Sequence, residues 1–224
     1  MQPDQRQSGK KTQYDCSVTA VIPAYNEEDR VAETVRAVKK HVDTVLVIDD
    51  ASSDATGEQA SAAGATVLTQ DTNQGYIAAI KRGFAAAETT VVVTIDADGE
   101  FPAGQIPDLV GPVCRGEADM VQGCRDRTVR PSEQFLTWLA RWGGPVGDSG
   151  TGFRALRTEL AQSLDLNGAC ICGIFSLEVL RRGGRIAEVP VQLQHSDEPR
   201  SIAWFHLRQV FYVGAALVQN VFSS

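Results

Sequence analysis

Four short β-branched runs, "SVTAVI" (17–22), "TVLVI" (44–48), "ATVLT" (65–69) and "TTVVVTI" (89–95), recur along the chain with helical patterns between them. Each is continuously apolar rather than alternating, which reads as a strand buried on both faces. Such strands need helices above and below them. The segment "NEEDRVAETVRAVKKHV" supplies one: Asn26 suits a cap, acids fill its start and bases its end, and Val31, Val35, Val38 and Val42 keep helical spacing. The segment from Gln74 repeats the pattern with Ile77, Ile80 and Phe84. Strands alternating with helices imply an α/β fold with a mostly parallel central sheet flanked by helices and joined by right-handed crossovers.

Two further strands are expected in "ADMVQG" (118–123) and "RIAEVPVQL" (185–193). Between them lie a short amphipathic helix, "RPSEQFLTWLARWGG", and the Gly-rich "GDSGTGFRA". No repeat or linker interrupts the chain, and 224 residues suit one sizeable domain. The first fifteen residues are polar and read as a disordered tail, with no apolar core of a signal peptide. No run is long and apolar enough for a confident membrane span. A net charge of −7 argues against nucleic acid as a partner, because phosphate binding needs a basic face. The five cysteines have no regular spacing and form no zinc set, so reduced thiols are expected. His41, His195 and His206 likewise have no ligand spacing.

In open α/β sheets, ligands bind beyond the carboxyl ends of the strands. Three polar clusters fall there: "PAYNEE", "DDASSDAT" and "DADGE". In extended chain Asp96 and Asp98 point the same way, so both carboxylates can face one point. Such a pair suits Mg²⁺ or Mn²⁺ bridging a pyrophosphate, with Glu100 as a third oxygen if the loop turns at Gly99. The bland reading is a solvated turn using Asp and Gly for its geometry. Asp49 and Asp50 can accept bonds from a ribose or base, or simply form a turn before a helix capped by Ser53 or Asp54. Tyr25 can stack on a base and Glu27 can bond it, or the acids can only favour the helix dipole. Arg125 and Arg154 are candidate partners for an anionic pyrophosphate, or surface ion pairs.

Taken in order, "VIPAYNEE", "VIDDASSDAT", "NQGYIAAIKRG", "DADGEFP", "ADMVQGCR", "DSGTGFRA" and "IAEVPV" resemble the family-2 glycosyltransferases, chiefly the dolichyl-phosphate mannose synthases and polyprenyl-phosphate hexose synthases. The resemblance spans roughly residues 17–195. It implies a single-domain GT-A (Rossmann-like) fold over residues 16–200 and inversion at the sugar carbon. By position it implies donor contacts at Pro23, Tyr25, Glu27, Ile48, Asp50, Asp96, Ala97, Asp98 and Arg125, with metal ligands at Asp96, Asp98 and Glu100. It places Asp148, Gly152, Phe153, Arg154 and Glu178 on the acceptor side, and makes Asp98 and Arg125 catalytic. Two positions depart from the family pattern. Tyr76 stands where relatives often have Lys, and Arg200 is the nearest match to a phosphate-binding arginine.

The implied reaction moves mannose or glucose from GDP-mannose or UDP-glucose to a polyprenyl or dolichyl phosphate. A phosphate monoester has its second pKa near 6, so this acceptor is already an anionic nucleophile. A saccharide hydroxyl acceptor is the alternative and needs a general base. A non-catalytic nucleotide-sugar-binding domain is the further alternative. The segment 201–224, with Trp204, Phe205, Phe211, Tyr212 and Phe222, reads as an amphipathic helix lying in a membrane interface, or as an ordinary core or dimer helix. The interfacial reading puts the protein at the cytoplasmic face of a membrane surface.

Overall fold

A computed structural model describes residues 16–125, 131–144, 147–168, 171–194, 209–210 and 212–214. Seven strands form one sheet in the order β3-β2-β1-β4-β6-β5-β7. They are β1 (Val18–Ala24), β2 (Thr44–Asp49), β3 (Thr66–Thr69), β4 (Val91–Thr94), β5 (Met120–Arg125), β6 (Arg154–Arg157) and β7 (Ile186–Val191). The helices are α1 (Val31–Val38), α2 (Thr56–Ala62), α3 (Tyr76–Ala86), α4 (Ile106–Cys114), α5 (Pro131–Ala140), α6 (Thr158–Ser163) and α7 (Ile174–Arg181).

The central strand β1 is buried along its whole length and pairs in parallel with β2 and β4. Its alternate residues serve two cores. Val18, Ala20 and Ile22 pack with Val31, Val35 and Val38 of α1, Ala60 of α2 and Leu109 and Val113 of α4. Val21 packs on the other face with Ile80 and Phe84 of α3, Leu160 of α6 and Phe175 and Val179 of α7. A strand buried on both faces therefore reads as a continuous apolar run.

Four features differ from expectation. β6 comes from the Gly-rich stretch and runs antiparallel between β4 and β5. β3 is half exposed because it is an edge strand. α1 starts at Val31 rather than Asn26, because Asn26 turns the chain through a left-handed conformation (φ 55°) that cannot enter a helix. Finally, Cys16 and Cys114 are joined as a disulfide, against the expectation of reduced thiols, whereas Cys124 and Cys172 keep their thiols. They lie 98 residues apart in sequence, and only the fold brings the start of β1 beside the end of α4.

Residues 209–210 and 212–214 are helical. Val213 packs with Leu136 of α5 and Leu177 of α7, and Gln209 donates to the Cys172 carbonyl at 3.1 Å. This part of the expected interfacial helix rests on protein; the remainder lies outside the described residues.

α3 comes closest to the sheet at Gly83, where an added β-carbon would overlap the Val21 side chain. Alanine favours a helix interior over glycine by roughly 1 kcal/mol, whereas overpacking a tight core costs about 1–3 kcal/mol. The overlap falls on one Val21 methyl, and its other methyl and β-carbon also stand close, leaving little room for the valine to turn away. Gly83→Ala is expected to lower the urea midpoint with an unchanged slope, despite its better helix propensity.

Candidate functional site

The loops after β1 and β2 are laced together at the carboxyl edge of the sheet. Asn26 accepts the Ser53 N–H at 2.9 Å, and its own N–H reaches the Ser52 hydroxyl at 3.0 Å. The Glu27 N–H donates to the Thr56 hydroxyl at 2.8 Å. Glu28 accepts the Ala55 N–H, and Asp54 accepts the Glu28 N–H. Asp49 accepts the Ser52 N–H, closing the second loop on itself. Of the donor contacts expected here, Tyr25 is 47% exposed on the rim. Glu27 is buried beside Arg30, with its Oε2 3.4 Å from the Arg30 Nε. Pro23 and Ile48 are neighbours across β1 and β2, and the Ile48 side chain belongs to the core.

Asp50 is 4% exposed, and its carboxylate is used inside the protein. Oδ1 accepts the Gln74 N–H at 2.8 Å and the Gln70 side-chain amide, while Oδ2 accepts the Gly75 N–H at 2.7 Å. Gly75 has φ 87°, a left-handed turn that glycine adopts readily. The next residue, Tyr76, opens α3 and donates its hydroxyl to Asp96 Oδ1 at 2.9 Å. The sequence marked Tyr76 only as a departure from lysine; the structure makes it part of the site.

Beyond β4 the chain runs Asp96-Ala97-Asp98-Gly99-Glu100. The Thr34 hydroxyl of α1 holds the Ala97 carbonyl at 2.9 Å. Gly99 turns with φ 75°, and Asp98 Oδ1 accepts the Glu100 N–H at 3.0 Å. Glu100 is drawn to the flank, where its carbonyl accepts the Gln194 N–H. There Asp98 and Glu100 line a cavity of about 460 Å³ with Arg30, Thr34, Lys40 and His41. On the other side, a β-carbon at Gly152 would overlap the Asp96 carboxylate, so only glycine fits against it.

Burial, then the Asp98 charge and more weakly Glu100, push the Asp96 carboxyl up to about 7, against the pull of the Tyr76 bond and Arg154. This crowding of negative charge suits a cation. Among the described residues, no three His, Cys, Asp or Glu side chains gather as a complete metal cage. The expected third ligand, Glu100, lies past the Gly99 turn and shares the flanking cavity with Asp98. Asp96 and Asp98 still fit Mg²⁺ or Mn²⁺, which are commonly held by one or two carboxylates plus substrate phosphates and water.

The basic side is more enclosed than expected. Arg125 donates Nε and Nη2 to Asp148 at 2.7 and 3.0 Å. Burial alone would raise the Asp148 carboxyl, but these bonds outweigh it and hold it below its usual range. Glu188 and Gln122, unmarked in the sequence, complete this wall: Gln122 bonds both Glu188 and the Asp148 carbonyl. Arg154 is 1% exposed, donates to the Ser149 carbonyl at 3.0 Å and lies 4.6 Å from the Phe175 ring centre. Among the described residues its Nε has no hydrogen-bond partner. Phe153 is fully buried, and Glu178 is taken up by Arg181 and the Asp165 N–H. As placed, Asp148, Gly152, Phe153, Arg154 and Glu178 are all buried and offer almost no surface to an acceptor. Arg200 lies outside the described residues.

The sequence matches the family model for glycosyl transferase family 2 over residues 19–181. An uncharacterized glycosyltransferase of Mycobacterium tuberculosis is 38% identical over 131 residues, 58% of this chain and 57% of that protein, so the match spans little more than half of that relative. An undecaprenyl-phosphate mannosyltransferase of Micrococcus luteus is 30% identical over 205 residues, covering 78% of this chain and 82% of its own. A dolichyl-phosphate hexose transferase of Haloferax volcanii is 30% identical over 187 residues, with 78% and 81% covered. Among solved structures, glucosyl-3-phosphoglycerate synthase of Mycobacterium tuberculosis with Mn²⁺ and UDP-glucose has a TM-score of 0.76 at 26% identity, covering 91% of this chain and 79% of that one.

The raised Asp96 carboxyl has a defined consequence. Its folded value of about 7 exceeds the ordinary 3.8, so without metal the fold loses stability as pH rises between those values. In chelator, Asp96→Asn is expected to melt above the parent protein at pH 8, with the difference vanishing near pH 4. Mn²⁺ binding must displace that proton, so the apparent affinity should rise about tenfold per pH unit below 7 and level off above it. Calorimetric titration across this range measures both the slope and the break.

Proposed function

The chain belongs to glycosyl transferase family 2 and has its GT-A fold, and from that premise we propose that it transfers a hexose from a nucleotide sugar to a polyprenyl phosphate, with inversion and with a divalent metal. The observation that carries the reading is the Asp96-Ala97-Asp98 turn beyond β4, where two carboxylates meet a rim that can seat a nucleotide. When bound, Mg²⁺ or Mn²⁺ neutralises the charge that develops on the leaving diphosphate. Asp96 and Asp98 hold the ion, with Asp96 fixed by the Tyr76 hydroxyl. Tyr25 stacks on the base from the rim. Arg125, oriented by Asp148, would donate to the diphosphate.

The acceptor proposal rests on chemistry and on relatives. A lipid phosphate is ionised at neutral pH and needs no general base. The relatives from Micrococcus luteus and Haloferax volcanii carry undecaprenyl and dolichyl phosphate in their names. Phe135 and Trp138 of α5 and Trp142 just beyond it stand exposed in a ladder of ring contacts, a surface suited to an isoprenoid chain or the headgroup boundary. No helix among the described residues is long and apolar enough to cross a membrane, so this reading uses peripheral attachment at the cytoplasmic face. In it, residues 16–200 form the catalytic domain. A second reading, with a small phosphorylated acceptor, is favoured by the likeness to a synthase solved with phosphoglyceric acid, at a TM-score of 0.74.

Purified protein supplied with GDP-mannose or UDP-glucose, Mn²⁺ and either a short polyprenyl phosphate or 3-phosphoglycerate is expected to yield a glycosylated lipid phosphate by mass spectrometry. Product only from phosphoglycerate would select the second reading. Asp98→Ala is expected to lower transfer on the order of 10²-fold or more, the scale for removing one electrostatic stabiliser of the transition state. Equal rates in the two proteins would sink the metal assignment.

A further inference from the structure

Asp50 and Asp96 stand beyond different strands, yet one short path of contacts joins them. The Asp50 carboxylate gathers the Gln74 and Gly75 N–H groups, and the left-handed Gly75 turns the chain directly into Tyr76. Tyr76 then bonds Asp96 Oδ1. The opposite side of Asp96 is closed by the backbone of Gly152, which is itself tied to β4 by the Thr94 hydroxyl at 2.8 Å. The carboxylate is thus clamped between a phenol and a glycine, so its orientation is set before any ligand arrives.

We infer that Tyr76 is a positioning residue for Asp96, and that Asp50 supports it by holding the turn that presents Tyr76. This rests on the reading of Asp96 as a cation ligand given above. Two observations separate it from ordinary packing. First, each Asp50 oxygen accepts a backbone N–H of the turn that presents Tyr76. Second, the Tyr76 hydroxyl enters a site where negative charge is crowded, so a neutral donor there orients the carboxylate without competing with a metal for it.

Hydrogen-bond partners of ligating carboxylates typically matter 10- to 100-fold in metal affinity. The test is Mn²⁺ titration followed by EPR, alone and with UDP or GDP, in the parent protein, Tyr76→Phe, Asp50→Asn and the double variant. Tyr76→Phe keeps the ring and removes only the hydroxyl. It is expected to weaken Mn²⁺ by about tenfold or more while its melting temperature in chelator stays near the parent value. Asp50→Asn is expected to weaken Mn²⁺ as well, and the double variant should be no weaker than the worse single one, since both act on one contact. Should Asp50→Asn fail to fold, Tyr76→Phe decides alone. Parent-like Mn²⁺ affinity in Tyr76→Phe overturns the role of Tyr76, and additive losses overturn the Asp50 link. A parent protein that binds no Mn²⁺ with either nucleotide instead overturns the metal reading on which both depend.

Discussion

Burial of β1 on both faces is the constraint from which the remaining architecture follows. A strand with no exposed side must have helices above and below, and its parallel neighbours must be joined by crossovers rather than hairpins. α1, α2 and α4 therefore collect on one face, and α3, α6 and α7 on the other. The loops leaving β1, β2 and β4 then emerge at one edge of the sheet. Polar groups that would be costly elsewhere can sit there, half in water and half against protein.

The antiparallel strand β6 turns that edge into a site. Because it returns beside β4, Thr94 faces Arg154 in register, and Gly152 comes to rest against Asp96. The same return carries Arg154 into the interior, where burial drives its guanidinium below its usual range despite the pull of Tyr76, Asp148 and Asp96. A buried cation near crowded acids tempers their repulsion without covering them. The site thus keeps a surplus of negative charge at its mouth while its base remains electrostatically tolerable.

Much of this was legible because local patterns carried it. The apolar runs marked β1, β2 and β4, the valine spacing marked α1, and the ordered acid clusters marked the loops. β6 was missed for a physical reason. A four-residue strand after glycines has little local signal, and its pairing partners lie far away in sequence. The start of α1 was misplaced because Asn26, a good cap by type, spends its side chain on Ser53. The Cys16–Cys114 bond had no spacing to announce it.

The sequence by itself determined that a parallel sheet would form and that Asp96 and Asp98 would lie at its carboxyl edge, because periodicity and strand-end position are local properties. Only the tertiary structure decided which acids act together. Glu100 shares a flanking cavity with Asp98, Arg125 is held by Asp148, and Arg154 goes to the interior. Tyr76 enters the site only because Asp50 holds the turn before it. These outcomes depend on distances between residues far apart along the chain, and such distances exist only once the core has packed.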